Sequence, residues 1–319
     1  MKDCLAKNLL ANLRALFSIN IRKSISENAQ KIASIESSME AKLLYLGVLN
    51  YYAFHEQESG AYSKELDYLR QHGCFCNFPY PSDAQPIKVV SGFDGDLRMS
   101  FVIHKGKRLY FPSDVTEEDA IWYYRNYVQT ERLLGTDDDE GTPHQYQSPE
   151  IQVSDGDVVF DIGAAEGLFA LDQIDKASHV VIVESNPDWM EALRHTFAPF
   201  GDKVTLVQKF ISATDTESTL SLKKLLTDTE FSSAFIKMDI EGYELPAINA
   251  AVVFLKEKPG IKIAAAAYHR QNDAEELKAI FDKLGYTSEF SNGYMLFHQY
   301  DTPLPPYFRR GMVRAKNSI

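Results

Sequence analysis

Residues Val158-Val-Phe-Asp-Ile-Gly-Ala-Ala-Glu-Gly167 constrain this chain more than any other stretch. Val158, Val159, Phe160 and Ile162 form a short apolar, β-favouring run, the mark of a buried strand. Gly163 and Gly167 bracket a turn, and Leu168-Phe-Ala-Leu-Asp-Gln-Ile174 follows with helical spacing of its large apolar residues. Strand, glycine turn and helix open a nucleotide-binding α/β unit. A second strand, His179-Val-Val-Ile-Val-Glu-Ser185, ends in an acid. That acid, Glu184, stands about 20 residues past the turn, where such units set a carboxylate against ribose hydroxyls.

The turn is not a dinucleotide fingerprint. That pattern, G-x-G-x-x-G, uses its middle glycine to bring backbone against a pyrophosphate. Here Ala164, Ala165 and Glu166 separate the glycines, and Asp161 precedes Gly163 by two. D-x-G-x-x-x-G followed by a strand-end acid suits S-adenosylmethionine, which has no phosphate. Its methionine half needs carbonyls for an ammonium and N–H donors for a carboxylate, and its ribose needs an acceptor. A plain strand–helix turn explains the glycines alone; the turn together with Glu184 is better explained by the cofactor. The expected cofactor contacts are Asp161, Gly163, Ala165, Gly167, Glu184, Ser185, Phe210, Ile211 and Asp239.

From Ile151 the chain alternates strand and helix. Strands are expected over about 157–163, 179–185, 204–211, 233–240 and 260–268, with helices over about 167–177, 187–198, 219–228, 244–257 and 273–284. Two closing strands, about 287–291 and 293–299, meet at Asn292-Gly293, a two-residue hairpin turn. Five alternating units and an antiparallel closing pair give an α/β fold, the Rossmann-like seven-stranded sheet of class I S-adenosylmethionine-dependent methyltransferases. Ligands in such sheets sit at the carboxyl ends of the strands.

The expected organisation is a helical region over 1–85, a hairpin and helix adapter with a substrate-side loop over 86–150, the cofactor-binding domain over 151–300, and a tail over 301–319. Leu9, Leu10, Leu13, Leu16 and Phe17, then Ile32, Ile35, Met39, Leu43 and Leu44, fall at helical spacings. Lys88-Val-Val and Met99 to His104 read as strands, and Arg108 to Phe111 returns after a Lys105-Gly-Lys107 turn. A helix follows to about Leu134, with Ser113 or Asp114 as its N-cap. The polar stretch 135–146 is either a solvated linker or a loop folded over the ligand, bearing His144 and Tyr146. The tail is Pro-rich, then basic, and is expected to be loosely ordered.

Of the 319 residues 45% are hydrophobic, enough for one large core or two moderate ones. The net charge of −12 argues against a general nucleic-acid binder, which needs a basic footprint. No run approaches 18 apolar residues, so no membrane span is expected, and the N-terminus lacks the apolar core of a signal peptide, which points to the cytoplasm. Cys4, Cys74 and Cys76 make no disulfide framework and a poor zinc set.

The strand ends carry the chemistry. Phe235-Ile-Lys-Met-Asp-Ile-Glu-Gly-Tyr-Glu-Leu245 runs a buried strand into Asp239, Glu241 and Glu244. Crowded carboxylates repel one another, so a packed core gains nothing from them. They meet a cation or a moving proton, or they cap the next helix; Asp239 and Glu241 are assigned to the site and Glu244 to the cap. The next strand ends in Tyr268, His269 and Arg270. A lone His is usually structural, but at this strand end it is a candidate general base.

On these residues the chain resembles the FkbM family of methyltransferases. The resemblance lies in Asp161-Ile-Gly-Ala-Ala-Glu-Gly167, Glu184-Ser-Asn-Pro187, Lys237-Met-Asp-Ile-Glu-Gly-Tyr-Glu244, Tyr268-His-Arg270 with Asp273, and Pro143-His-Gln-Tyr146. It covers about 140–299. Many members have Asn at the place of Glu166, and Phe-Glu-Pro at Val183-Glu184-Ser185. It implies methyl transfer from S-adenosylmethionine to a hydroxyl of a sugar, glycan or other small molecule. The candidate bases are His269, Asp239 and His144, in that order, and Glu241, Tyr146 and Tyr268 are the expected acceptor contacts. No metal is expected, and a homodimer is permitted without being required. The competing readings are a nicotinamide-dependent oxidoreductase, disfavoured by the missing glycine, and a non-catalytic binding or scaffold protein of the same fold.

Overall fold

A computed structural model describes residues 39–73, 77–80, 86–135, 141–297 and 304–317. The cysteines and the expected helix around Leu9 to Phe17 lie outside them. The chain divides into two compact units, Met1–Cys76 and Asn77–Ile319.

In the first unit, a helix over residues 39–54 (α1) is followed by a helix over Ser63–His72 (α2). Val48, Tyr52, Leu66 and Leu69 are buried, while Met39, Leu43 and Leu46 of α1 are exposed. Gly73 ends α2 in the left-handed conformation, and its N–H bonds Leu69 O.

The second unit opens with a three-stranded meander, β1 (Ser91–Asp94), β2 (Met99–His104) and β3 (Lys107–Tyr110). The expected Lys88-Val-Val strand is displaced to β1; the turn at Lys105-Gly106 is as expected. Helix α3 (Glu117–Arg125) is capped by Thr116, whose side chain accepts from Asp119 N, and not by Ser113 or Asp114. It continues into a wide π-type turn, Asn126–Thr130. Val102, Leu109, Phe111, Ala120 and Tyr124 of this segment share one core with Val159, Leu168 and Phe235, so residues 86–135 are built onto the sheet.

The sheet contains β4 (Val158–Ile162), β5 (His179–Val183), β6 (Val204–Val207), β9 (Ala234–Met238), β10 (Ile261–Ala266), β11 (Thr287–Phe290) and β12 (Met312–Lys316), in the order β11-β12-β10-β9-β4-β5-β6. A separate two-stranded ribbon joins β7 (Phe210–Ser212) to β8 (Thr219–Ser221), so the expected 204–211 strand breaks in two. Alternation divides the strands between two cores. Val159, Val180, Ile182 and Phe235 face the adapter, and Val158, Phe160, Ile162, Ile236 and Met238 face the helix over Glu244–Glu257.

The closing strand is corrected. Of the expected strand over about 293–299, the described residues 293–297 form only a bridge from Met295 to Arg309. The reversed strand is β12, inserted antiparallel between β10 and β11, so Met312–Lys316 of the expected tail belongs to the sheet. Its basic residues hid it. Arg314 is buried, with Nε 3.0 Å from Glu289 Oε1 and Nη1 donating to Gln147 O at 2.7 Å.

Candidate functional site

The chain leaves β4 towards β5 and β6 on one side, then crosses to β9 on the other. The carboxyl ends of β4 and β9 therefore form the switch point where a crevice opens. Gly163 follows β4 with φ +71°, and a Cβ there would lie 1.9 Å from Asp239 O, so only glycine lets the two strand ends meet. Gly167 sits at the start of the Leu168–Gln173 helix; a Cβ would meet Leu193 at 2.6 Å and Phe197 at 2.9 Å.

A cleft of about 400 Å³ opens at these ends. Its walls include Gly163, Ala165, Glu184, Ser185, Phe210, Ile211, Asp239 and Glu241, all expected from sequence. Glu184 Oε2 accepts from Ala165 N at 2.9 Å and Oε1 from Asn186 N at 2.7 Å, which fixes the carboxylate at the cleft wall. Asn186, Trp189, Lys209 and Ile240 also line it and were not assigned to the site, and Tyr243, a candidate to stack on a sugar face, lines it too. Asn186 was hidden in plain sight, as the N-cap of Pro187–Phe197 beside Glu184.

Two expected cofactor contacts are placed elsewhere, and the expected acceptor contacts Tyr146 and Tyr268 are buried and do not line the cleft. Gly167 belongs to the helix packing just described. Asp161 is fully buried behind the turn, with Oδ1 3.0 Å from Lys237 Nζ and Oδ2 accepting from Ala170 N at 3.1 Å. The register explains the pair, since Asp161 faces Lys237 across β4 and β9. Lys237 also donates to Gly163 O at 2.6 Å, so it braces the turn from below. Burial works to lower the Lys237 pKa, but Asp161 and Asp239 outweigh it and leave it raised.

Asp239 is the centre of a buried polar cluster. Its Oδ2 accepts from Tyr146 Oη at 3.0 Å and lies 3.1 Å from His144 Nε2. Its Oδ1 accepts from Tyr268 Oη at 3.1 Å and lies 3.6 Å from His269 Nε2. The other nitrogens of the two rings face further carboxylates: His144 Nδ1 is 2.8 Å from Glu131 Oε2, and His269 Nδ1 is 3.2 Å from Glu244 Oε1. Glu131 was missed by sequence reasoning, because nothing local marks a carboxylate at the end of a π-type turn. His269 Nε2 also stands 3.4 Å from Glu241 Oε2. Glu244 opens the helix over Glu244–Glu257 and accepts from Ile240 N at 2.7 Å, a bond to the loop before the helix; the helix has no side-chain cap hydrogen bond.

This arrangement sets the charges. Burial, the largest single influence, favours neutral imidazoles, but the carboxylates prevail and raise His144 to about 9 and His269 to about 10. Burial likewise opposes ionisation of Asp239, yet His144, His269 and Lys237 hold it well below the usual carboxylate range. Burial and the Asp239 charge push both tyrosines up, keeping them as donors. Asp239, Glu244 and His269 also bring ligand-type atoms within 4.8 Å of one another, but their contacts already pair the two ring nitrogens with opposite carboxylates.

No family model matches the sequence, and no curated protein matches it. Among solved structures the chain is similar to the methyltransferase FkbM from Methylobacillus flagellatus, at 21% identity over 53% of this chain and 46% of that one, with TM-score 0.42. It is also similar to a precorrin-6y C5,15-methyltransferase from Geobacter metallireducens, at 17% identity over 53% of this chain and 84% of that one, TM-score 0.37. A third is Trm5b from Pyrococcus abyssi, at 15% identity over 72% of this chain and 63% of that one, TM-score 0.38. The match therefore spans less than half of the FkbM chain. The strand order, with β12 alone reversed, is what assigns the architecture. It is the class I methyltransferase fold. Among the described residues no helix is long and apolar enough to cross a membrane.

Proposed function

We propose that the chain transfers a methyl group from S-adenosylmethionine to a hydroxyl of a sugar, glycan or other small molecule, as an FkbM-like O-methyltransferase. The observation that carries this reading is Glu184 fixed at a cleft that begins at the glycine turn and ends at Asp239. The residues present suit the cofactor. Ile162, Val183, Phe210 and Ile211 offer apolar surface for a base, Glu184 offers acceptors for ribose hydroxyls, and no phosphate cradle is needed. When bound, the cofactor supplies an electrophilic methyl group on a sulfonium.

The chain's own part is positioning, charge and proton acceptance. Glu184, Asp239 and Glu241 give the cleft wall a negative balance against Lys209, which suits a cationic cofactor and a neutral acceptor. Asp239 is the base. An acceptor oxygen becomes strongly acidic only as its new bond to carbon forms, so a carboxylate suffices to take the proton then. His269, first among the bases expected from sequence, and His144 are cations near neutral pH and have no lone pair to offer; they orient Asp239. Tyr146 and Tyr268, both buried, donate to the carboxylate and hold it in place. No metal is required by this scheme.

The test is transfer of labelled methyl from S-adenosylmethionine across a panel of glycans and hydroxylated small molecules, with Asp239→Asn as control. Transfer by the wild type and a loss of at least a hundredfold in the variant support the reading. Binding of cofactor without transfer to any panel member would favour the non-catalytic alternative.

A further inference from the structure

The His144 ring lies between two carboxylates that come from distant parts of the chain. Nε2 is 3.1 Å from Asp239 Oδ2 at the cleft, and Nδ1 is 2.8 Å from Glu131 Oε2, away from it. Glu131 is itself held. Its Oε1 accepts from Asn126 Nδ2 at 2.5 Å, and its N–H bonds Asn126 O at 2.8 Å, closing the π-type turn. The wide turn over Asn126–Thr130 leads directly into Glu131, whose carboxylate meets the ring. Tyr80 Oη donates to Thr130 O at 2.6 Å and pins the same backbone. Phe78 stacks on the imidazole at 5.8 Å and Tyr268 meets it edge-on at 5.0 Å, so the ring is boxed on its faces as well. Glu131 does not line the cleft.

We propose that Glu131 is a positioning residue that acts through His144, holding the imidazolium with Nε2 on Asp239 and so fixing the carboxylate at the floor of the cleft. It rests on the methyl-transfer reading only for what Asp239 serves. A His whose second nitrogen faces a carboxylate is locked in one orientation and one protonation state, and the ring then orients the next group. Among the described residues, the charged and titratable groups around His144 are Glu131 just after the π-type turn, Asp239 just after β9, and Tyr146 and Tyr268. Lys237, Glu241 and His269 face Asp239 in turn. Glu131 meets His144 and does not line the cleft, so its removal alters the ring and leaves the described cleft wall residues in place.

The experiment is imidazole NMR of the whole ¹⁵N-histidine-labelled chain without cofactor, with His144 assigned through His144→Gln, for the wild type, Glu131→Gln and Glu131→Asp. In the wild type both His144 nitrogens carry protons near pH 7.5. Glu131→Gln is expected to move the His144 midpoint down at least tenfold in proton concentration, leave His269 unmoved, and keep S-adenosylhomocysteine affinity within threefold. Glu131→Asp is expected to restore part of the shift. A neutral His144 ring in the wild type at pH 7.5, which needs no variant to detect, would overturn the proposal, and so would an unmoved midpoint in Glu131→Gln. Failure of the wild type to bind S-adenosylhomocysteine would count against the methyl-transfer reading and leave the His144 result standing.

Discussion

Asp239 Oδ2 lies 3.1 Å from His144 Nε2, and this contact joins the end of β9 to the segment before β4. With His269 on the other oxygen, carboxylates and imidazoles alternate from Glu131 through Asp239 to Glu244. The sign of the pH dependence follows. His144 and His269 are raised above their ordinary 6.5, to about 9 and about 10. Their contribution to stability is therefore complete below about 6.5 and is lost as pH rises through 9 to 10. Asp239 is lowered, so its contribution is present above its ordinary 3.8 and is lost as pH falls below that. Urea unfolding of the wild type should show its greatest stability near pH 5 and a fall that steepens from about pH 6.5 up to pH 10. Asp239→Asn should cost about 3 kcal/mol at pH 5 and flatten the alkaline fall. Parallel curves for the two proteins would contradict the coupling.

The kinetic counterpart separates Asp239 from His269 as base. With Asp239 accepting the proton, kcat for any acceptor found is flat from about pH 6 to 8. A base with the His269 value would give a tenfold rise per pH unit over that range.

Glu166 gives a prediction of opposite sign. Burial lifts its carboxyl from 4.5 to about 8, so the folded chain holds a proton that the unfolded chain releases. Stability falls as pH rises from 4.5 to 8. Glu166→Gln should match the wild type at pH 5 and exceed it by about 2 kcal/mol or more at pH 9, as measured by urea unfolding. A variant no more stable at pH 9 than the wild type would refute the assignment.

Binding and stability should separate at Glu184 and Asp161. Glu184→Ala and Phe210→Ala should weaken S-adenosylhomocysteine at least tenfold with little change in Tm, because both stand at the cleft wall. Asp161→Ala should instead cost about 3–5 kcal/mol of stability, because it strands buried Lys237. Calorimetry beside thermal unfolding distinguishes the two; a stable Asp161→Ala chain with selectively lost binding would reverse the placement.

The fold was legible where the signal was local. The apolar run of Val158 to Ile162, the glycine turn and the helix over Glu244–Glu257 follow from local residue pattern, and each is found close to its expected bounds. The closing strand was missed because Met312-Val-Arg-Ala-Lys316 carries two cations, and only the tertiary structure provides Glu289 and the Gln147 carbonyl to receive Arg314. Asp161 was read as a cofactor contact because its motif sits at the strand end; a one-residue change of face in a strand decides between cleft and core. Glu131 is beyond any local pattern, since only the path of the chain after the π-type turn brings it to His144.

The same missed segment supports the site. Arg309 Nη1 donates to Tyr268 O at 3.0 Å and His269 O at 2.9 Å. Arg309→Met should cost about 1–3 kcal/mol, since two buried carbonyls lose that donor, and should speed amide exchange around residues 267–270. Exchange unchanged there would show that the arginine does not brace the strand end.

Metal removal is expected to do nothing. EDTA should leave S-adenosylhomocysteine affinity unaltered, and Mg²⁺ should not raise Tm, because the Asp239, Glu244 and His269 atoms are already paired. A rise in Tm with Mg²⁺ that vanishes in Asp239→Asn would establish a metal site instead.

The most direct measurement is calorimetric titration of the whole chain with S-adenosylhomocysteine, beside Glu184→Ala. One site of micromolar affinity, lost in a folded Glu184→Ala variant, is the predicted result. No heat of binding from a folded wild-type sample would contradict the methyltransferase account.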